Sequence, residues 1–160
     1  MFLLAALSVF KTSVAESRSV EVHPHIDVDA YIRDHMVTAS ILSAIYGIPK
    51  SVILAVAVVE SSAGNCPTAR VLNNHFGIVG DNNYRTAAGS KSRYKQYGVE
   101  LFSYIDFCAY VSEKRFYPRL KNKKDAARWV HAISLSGYSE VPDVWESRIM
   151  QIIRTYKLRS

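Results

Sequence analysis

VILAVAVVESSAG, residues 52–64, places eight consecutive apolar side chains directly before a carboxylate and a run of small residues. Eight apolar positions in a row, Val52 to Val59, mark a segment buried on all sides, because a surface element would alternate polar with apolar positions. The β-branched content leaves a strand open. Gly47 and Pro49 before the run, and Ser61, Ser62, Ala63 and Gly64 after it, read instead as helix punctuation. The segment is therefore expected to be a helix of about two turns at the centre of the fold.

Glu60 is the anomaly in that reading. A carboxylate at the C-terminal end of a buried helix faces the negative end of the helix dipole and loses solvent on its apolar side. Both effects favour the protonated form, and a carboxyl that keeps its proton at neutral pH is a general acid. The small residues beyond it would leave room for a substrate. The plainer alternative is a glutamate that has reached solvent past the helix end.

Composition bounds the rest. At 160 residues with 49% apolar content, the chain supports one globular domain with a real core and is not a disordered polymer. Twenty Lys and Arg against 14 Asp and Glu give a net charge of +6, which suits an anionic polymer: nucleic acid, a membrane surface or bacterial cell wall. The apolar stretch Phe2–Phe10 is too short to span a bilayer and leads to Ser13-Val14-Ala15, a small-x-small cleavage pattern, although no positive charge precedes Phe2. Residues 1–15 are read as a signal peptide, 16–26 as a polar tail and 27–160 as the domain, placing the protein in the periplasm or cell envelope. In an oxidising compartment Cys66 and Cys108 could pair; two separate buried thiols are the alternative.

The domain reads as successive helices. Asp27 or Asp29 can cap a first helix with apolar positions Tyr31, Ile32, Met36, Ile41, Leu42, Ile45 and Tyr46, ended by Gly47. The central helix starts at Pro49, and residues 65–74 form a loop or short helix. Further helices are expected over Val99–Ser112, burying Leu101, Phe102, Ile105, Cys108 and Val111; over Asp125–Ser136, burying Ala126, Trp129, Val130 and Ile133; and over Pro142–Tyr156, burying Val144, Trp145, Ile149, Ile152 and Ile153. Between them, glycines and asparagines interleaved with aromatics from Phe76 to Tyr97 suggest a small β-hairpin or open lobe.

At this point five ordered motifs carry a resemblance: Glu60-Ser61-Ser62-Ala63-Gly64; Asn73-Asn74-His75-Phe76-Gly77-Ile78; Tyr94-Lys95-Gln96-Tyr97 leading to Asp106; Arg115-Phe116-Tyr117; and Ser136-Gly137-Tyr138-Ser139. Together they resemble the bacterial glucosaminidase family of cell-wall autolysins and the flagellar rod-associated peptidoglycan hydrolase. The resemblance implies an α+β, predominantly helical, lysozyme-like fold, with a helical body and a small β-lobe bordering a cleft. It also implies hydrolysis of the β-1,4 bond following N-acetylglucosamine in peptidoglycan. It carries the general-acid role onto Glu60 and sets Tyr138, Asn74 and Phe76 in or beside the cleft.

Two departures from the family pattern matter. Ser62-Ala63 stands where the family usually has Gly-Trp, which removes an aromatic from the cleft floor. No Asp or Glu occurs between Asp81 and Glu100, so Asp81 is the one lobe carboxylate that could act as the second catalytic group, and turn formation explains it equally well. Attack by the substrate's own N-acetyl oxygen would dispense with that group. A binding domain with little turnover, or a lytic transglycosylase using the same acid, are the other readings. Tyr84, Tyr94, Tyr97 and Tyr138 could stack on sugar faces, with Tyr97 equally suited to the core. No cofactor is expected. The five histidines show no ligand spacing such as His-Glu-x-x-His, so packing or surface positions are the expectation for them, and no basic-aromatic stripe of a nucleic-acid module occurs.

Overall fold

A computed structural model describes residues 27–83 and 91–160. The expected leader and tail, and Tyr84, lie outside these residues. Among the described residues seven α-helices follow in order: α1 Val28–Tyr46, α2 Lys50–Ser61, α3 Pro67–Leu72, α4 Glu100–Ser112, α5 Tyr117–Leu120, α6 Ala126–Ile133 and α7 Pro142–Thr155. A π-helical turn, Ser134–Tyr138, continues α6.

The apolar run is helical, and it is the centre. Val52 to Ala57 are fully buried, with α1, α6 and α7 packed around them. A helix enclosed on three sides has no solvent face, which is why its sequence carries no polar position from Val52 to Val59. Both ends of α1, the helix before it, behave as their residues require. Asp27 caps α1, its side chain accepting from the Ala30 N–H at 2.8 Å. Gly47 ends α1 in the left-handed region (φ 68°), and a Cβ there would lie 2.5 Å from the Asn122 side chain, so both conformation and space demand glycine. Pro49 sits at the cap position rather than inside α2.

The inward faces of three helices differ from expectation; in α7, Val144, expected inside, is 50% exposed. In α4 the buried residues are Ser103, Tyr104, Phe107, Cys108 and Val111, while Leu101 and Phe102 are 43% and 53% exposed. Tyr104 turns inward because its hydroxyl finds that of Tyr31 at 2.7 Å, and Phe107 because it stacks on Phe76 at 4.4 Å between centroids. A partnered tyrosine can thus displace a leucine from the core. In α1 the same logic buries His35 and Ala39 and leaves Ile41 and Ile45 outside.

Cys66 and Cys108 are both free. Cys66 caps α3, its sulfur accepting from the Ala69 N–H, whereas Cys108 is enclosed in the core, where burial pushes its thiol up to about 12. The expected β-hairpin contributes, among the described residues, one antiparallel bridge between Val79 and Tyr94, without a named strand. Side chains do much of the pairing there. Asn74 donates to the carbonyls of Ile78 and Lys95, both at 2.8 Å, and Asn82 to those of Ser92 and Tyr94. Among the described residues, no helix is long and apolar enough to cross a membrane.

Candidate active site

A cleft of about 900 Å³ opens where the end of α2 meets the 76–79 segment, Arg93 and Tyr94, the 137–141 segment and the first turns of α7. Among the described residues its carboxylates are Glu60 and Glu140, and its cations are Arg93 and Arg148. Glu60 reaches it because α2 continues one residue past the carboxylate before turning.

That turn is tightly specified. The Ser61 hydroxyl donates to the Ala57 carbonyl at 2.6 Å and accepts from the Gly64 N–H at 2.8 Å, closing the chain back on the helix end. Ser62 and Ala63 are both left-handed, with φ 51° each, a conformation that L-residues adopt at a cost of about 1 kcal/mol. The strain lies directly beside the carboxylate, at the two positions where the sequence departs from the glucosaminidase pattern.

Glu60 is partly buried, and its Oε1 accepts the indole N–H of Trp145 at 2.5 Å. Burial raises its pKa above the ordinary carboxylate value, and the Trp145 hydrogen bond, which favours the anion, only partly offsets that effect. With Oε1 committed to an N–H donor, the proton of the neutral acid belongs on Oε2. On that side lies Gly77, where an added Cβ would stand 3.7 Å from Oε2; its left-handed φ of 64° explains the glycine.

The structure brings together Glu60, Phe76, Tyr94 and Tyr138, all of which line the cleft. The Tyr138 hydroxyl donates to the Phe76 carbonyl at 2.8 Å, and burial, then the nearby Glu60 charge, hold its pKa well above 10. Tyr138 therefore keeps its proton and ties the π-helical turn to the opposite wall. Phe76 is buried, with its ring on Phe107 and Tyr104.

The structure does not bring Asn74, Tyr97 or Asp81 into the cleft. Asn74 is 1% exposed and engaged with backbone. The Tyr97 hydroxyl donates to Asp106 at 2.6 Å, beside a separate hollow with Lys95 and Ile105. Asp81 is exposed and borders a separate shallow hollow with Asn82, Asn83 and Gln96. Tyr84 lies outside the described residues.

Two residues at the site escaped the sequence reading. Trp145 counted there only as core, yet a buried indole needs an acceptor for its N–H, which was the available signal. Glu140 was passed over because it follows the Gly-Tyr-Ser motif in a loop, and no local pattern announces that a loop faces a distant helix end.

A family model described as mannosyl-glycoprotein endo-beta-N-acetylglucosaminidase matches residues 37–158. The chain belongs to this glucosaminidase family and is by class a glycoside hydrolase. No match is found among curated proteins. Among solved structures, the catalytic domain of the autolysin Auto from Listeria monocytogenes is 19% identical, with TM-score 0.66 over 82% of this chain and 85% of that one. The glycoside hydrolase domain of FlgJ from Salmonella typhimurium is 20% identical, with TM-score 0.65 over 82% and 89%. A peptidoglycan hydrolase from Sphingomonas sp. A1 is 19% identical, with TM-score 0.65 over 81% and 89%. At these identities the likeness establishes a shared fold.

Proposed function

We propose that this chain hydrolyses the β-1,4 bond following N-acetylglucosamine in peptidoglycan, with Glu60 as general acid. The observation that carries the reading is a carboxyl whose pKa is raised by burial, held by Trp145 at one oxygen and free at the other, on the wall of an open cleft. The family membership supports the glycosidic bond, and the autolysin and peptidoglycan-hydrolase folds support the wall polymer. Arg93 and Arg148 suit the carboxylates of its peptide stems.

In this mechanism Glu60 Oε2 gives its proton to the glycosidic oxygen as the bond from that oxygen to C1 breaks, and a water oxygen ends on C1. The products are a reducing N-acetylglucosamine and a free hydroxyl on the leaving sugar. Two routes deliver the water. The N-acetyl oxygen attacks C1 first and water then opens the cyclic intermediate, or a second carboxylate activates water directly. Glu140, which lines the same cleft, is better situated for that second role than Asp81. Loss of lysis in Glu140→Gln would favour the carboxylate route, and retention the substrate-assisted one. Export by the 1–15 segment belongs to this proposal, since the polymer lies outside the cytoplasmic membrane.

The test is mass spectrometry of purified peptidoglycan digested by wild type and by Glu60→Gln. Fragments ending in reducing N-acetylglucosamine, released by wild type alone, are expected. Anhydro-sugar ends would instead mark a lytic transglycosylase. Binding without fragments from either protein would mark a wall-binding domain.

A further inference from the structure

Away from the cleft, three side chains distant in sequence converge. His35 comes from α1, His75 from the loop after α3, and Glu100 from the first residue of α4; one ligand atom of each lies within 4.8 Å of the others. Both histidines are buried, at 8% and 5% exposure, while the Glu100 side chain is 54% exposed. The Nε2 atoms of His35 and of His75 each stand 3.4 Å from Glu100 Oε2.

That distance is too long for a charge-assisted hydrogen bond, which closes to about 2.7–2.9 Å. It equals the edge of a tetrahedron whose centre lies about 2.0–2.1 Å from each nitrogen and oxygen, the bond length of zinc to such ligands. The protonation pattern agrees. His35 Nδ1 lies 2.7 Å from the Tyr31 carbonyl oxygen, which can only accept, so a proton is on Nδ1 and the neutral ring presents a lone pair at Nε2. That Nε2 is buried and has no hydrogen-bond partner. An orphaned lone pair in the interior calls for an occupant.

His75 is similarly backed. Its Nδ1 lies 2.6 Å from the Tyr31 hydroxyl, which in turn lies 2.7 Å from that of Tyr104. In the tautomer with its proton on Nδ1, His75 donates to the Tyr31 hydroxyl, its Nε2 is available as a ligand, and the ring is oriented by an outer shell of the kind metal-bound histidines use.

We propose that His35 Nε2, His75 Nε2 and Glu100 Oε2 form a binding site for one zinc-type divalent cation that ties α1, the 73–76 loop and α4 together. Two imidazoles and one carboxylate select zinc, cobalt or nickel over magnesium and calcium, which prefer oxygen. Exposure of Glu100 gives the ion a way in and leaves the fourth position to water. None of the three residues lines the cleft, so the role is structural: the ion would anchor the loop whose next residue, Phe76, receives Tyr138.

The full 160-residue chain, stripped with EDTA, would be titrated with zinc chloride against a chromophoric chelator, with cobalt(II) absorption recorded in parallel. One equivalent bound, a tetrahedral cobalt spectrum, and a thermal midpoint raised by zinc but not by magnesium are expected. Glu100→Gln, at an exposed position, should fold normally, weaken zinc binding at least about tenfold and abolish the thermal shift; His35→Gln should do the same. A wild type that takes up no zinc at micromolar concentrations would overturn the proposal. So would uptake equally tight in both variants, which would place the ion elsewhere on the chain. Neither result bears on Glu60.

Discussion

Two carboxylates of this protein each receive a hydrogen bond from an aromatic side chain, yet they are driven in opposite directions. Glu60 accepts from the Trp145 indole and its pKa is raised; Asp106 accepts from the Tyr97 hydroxyl and its pKa is lowered. Burial disfavours charge on both. The difference is Lys95, whose ammonium lies 2.6 Å from Asp106 Oδ2 and, together with Tyr97, more than offsets the loss of solvent. Glu60 has only a neutral donor. A neutral donor leaves a buried acid available for proton transfer, whereas a cation converts it into a strut.

The largest expected effect separates the two directly. Glu60→Gln should reduce the release of wall fragments by about 10²–10⁴-fold, while Asp106→Asn leaves it within a few-fold of wild type; turbidity loss of purified walls measures both. The same pair should diverge in stability. Between the ordinary carboxylate pKa and the raised value of Glu60, the native state holds a proton that the unfolded chain has lost, so stability falls as pH rises through that window. Glu60→Gln should therefore be more stable than wild type at neutral pH, with the gain vanishing in acid.

For Asp106 the sign reverses. Its contribution is present above the ordinary carboxylate pKa and lost as pH falls through the lowered value in the fold. Both partners are more than a third exposed, Lys95 at 42% and Asp106 near that limit at 34%, so screening keeps the effect small. Asp106→Asn should cost about 1 kcal/mol at pH 7 in chemical denaturation, and less in high salt.

A subtler substitution sharpens the contrast. Trp145→Phe removes the one hydrogen bond that favours ionised Glu60, so the alkaline limb of the pH–rate profile should move to higher pH. An unmoved limb would mean that Glu60 is not the titrating acid. The smallest effect is expected at the strained turn. Ser62→Gly relieves a left-handed serine and should stabilise the fold by at most about 1 kcal/mol, part of the gain being lost to a freer unfolded chain.

Much of this was legible in the residues. Uninterrupted apolar character from Val52 to Val59 requires enclosure on every side, and a carboxylate at the end of such a helix must lose solvent; both follow from the chain alone, as do the Gly47 stop and a cap at Asp27 or Asp29, of which the structure uses Asp27. Helix positions along the chain followed from 3.6-residue periodicity. Their rotation did not always follow: Leu101 and Phe102 are as apolar as Tyr104 and Phe107, and only the partners across the core, Tyr31 and Phe76, decide which pair turns inward.

What the tertiary structure alone decided are the meetings between distant residues. Trp145 stands 85 positions from Glu60 and yet sets which of its oxygens carries the proton. Asn74, one of the residues the motif suggested for the cleft, is absorbed in holding two loop strands together, because a buried amide must satisfy its hydrogen bonds where it stands. His35, His75 and Glu100 show no ligand spacing, and three helical or loop segments had to pack before these side chains came together. Periodicity and local capping act within one element and can be read along the chain. Proton affinity, ligand geometry and the division between acid and strut depend on groups brought within a few ångströms by packing, and the linear sequence carries no measure of that distance.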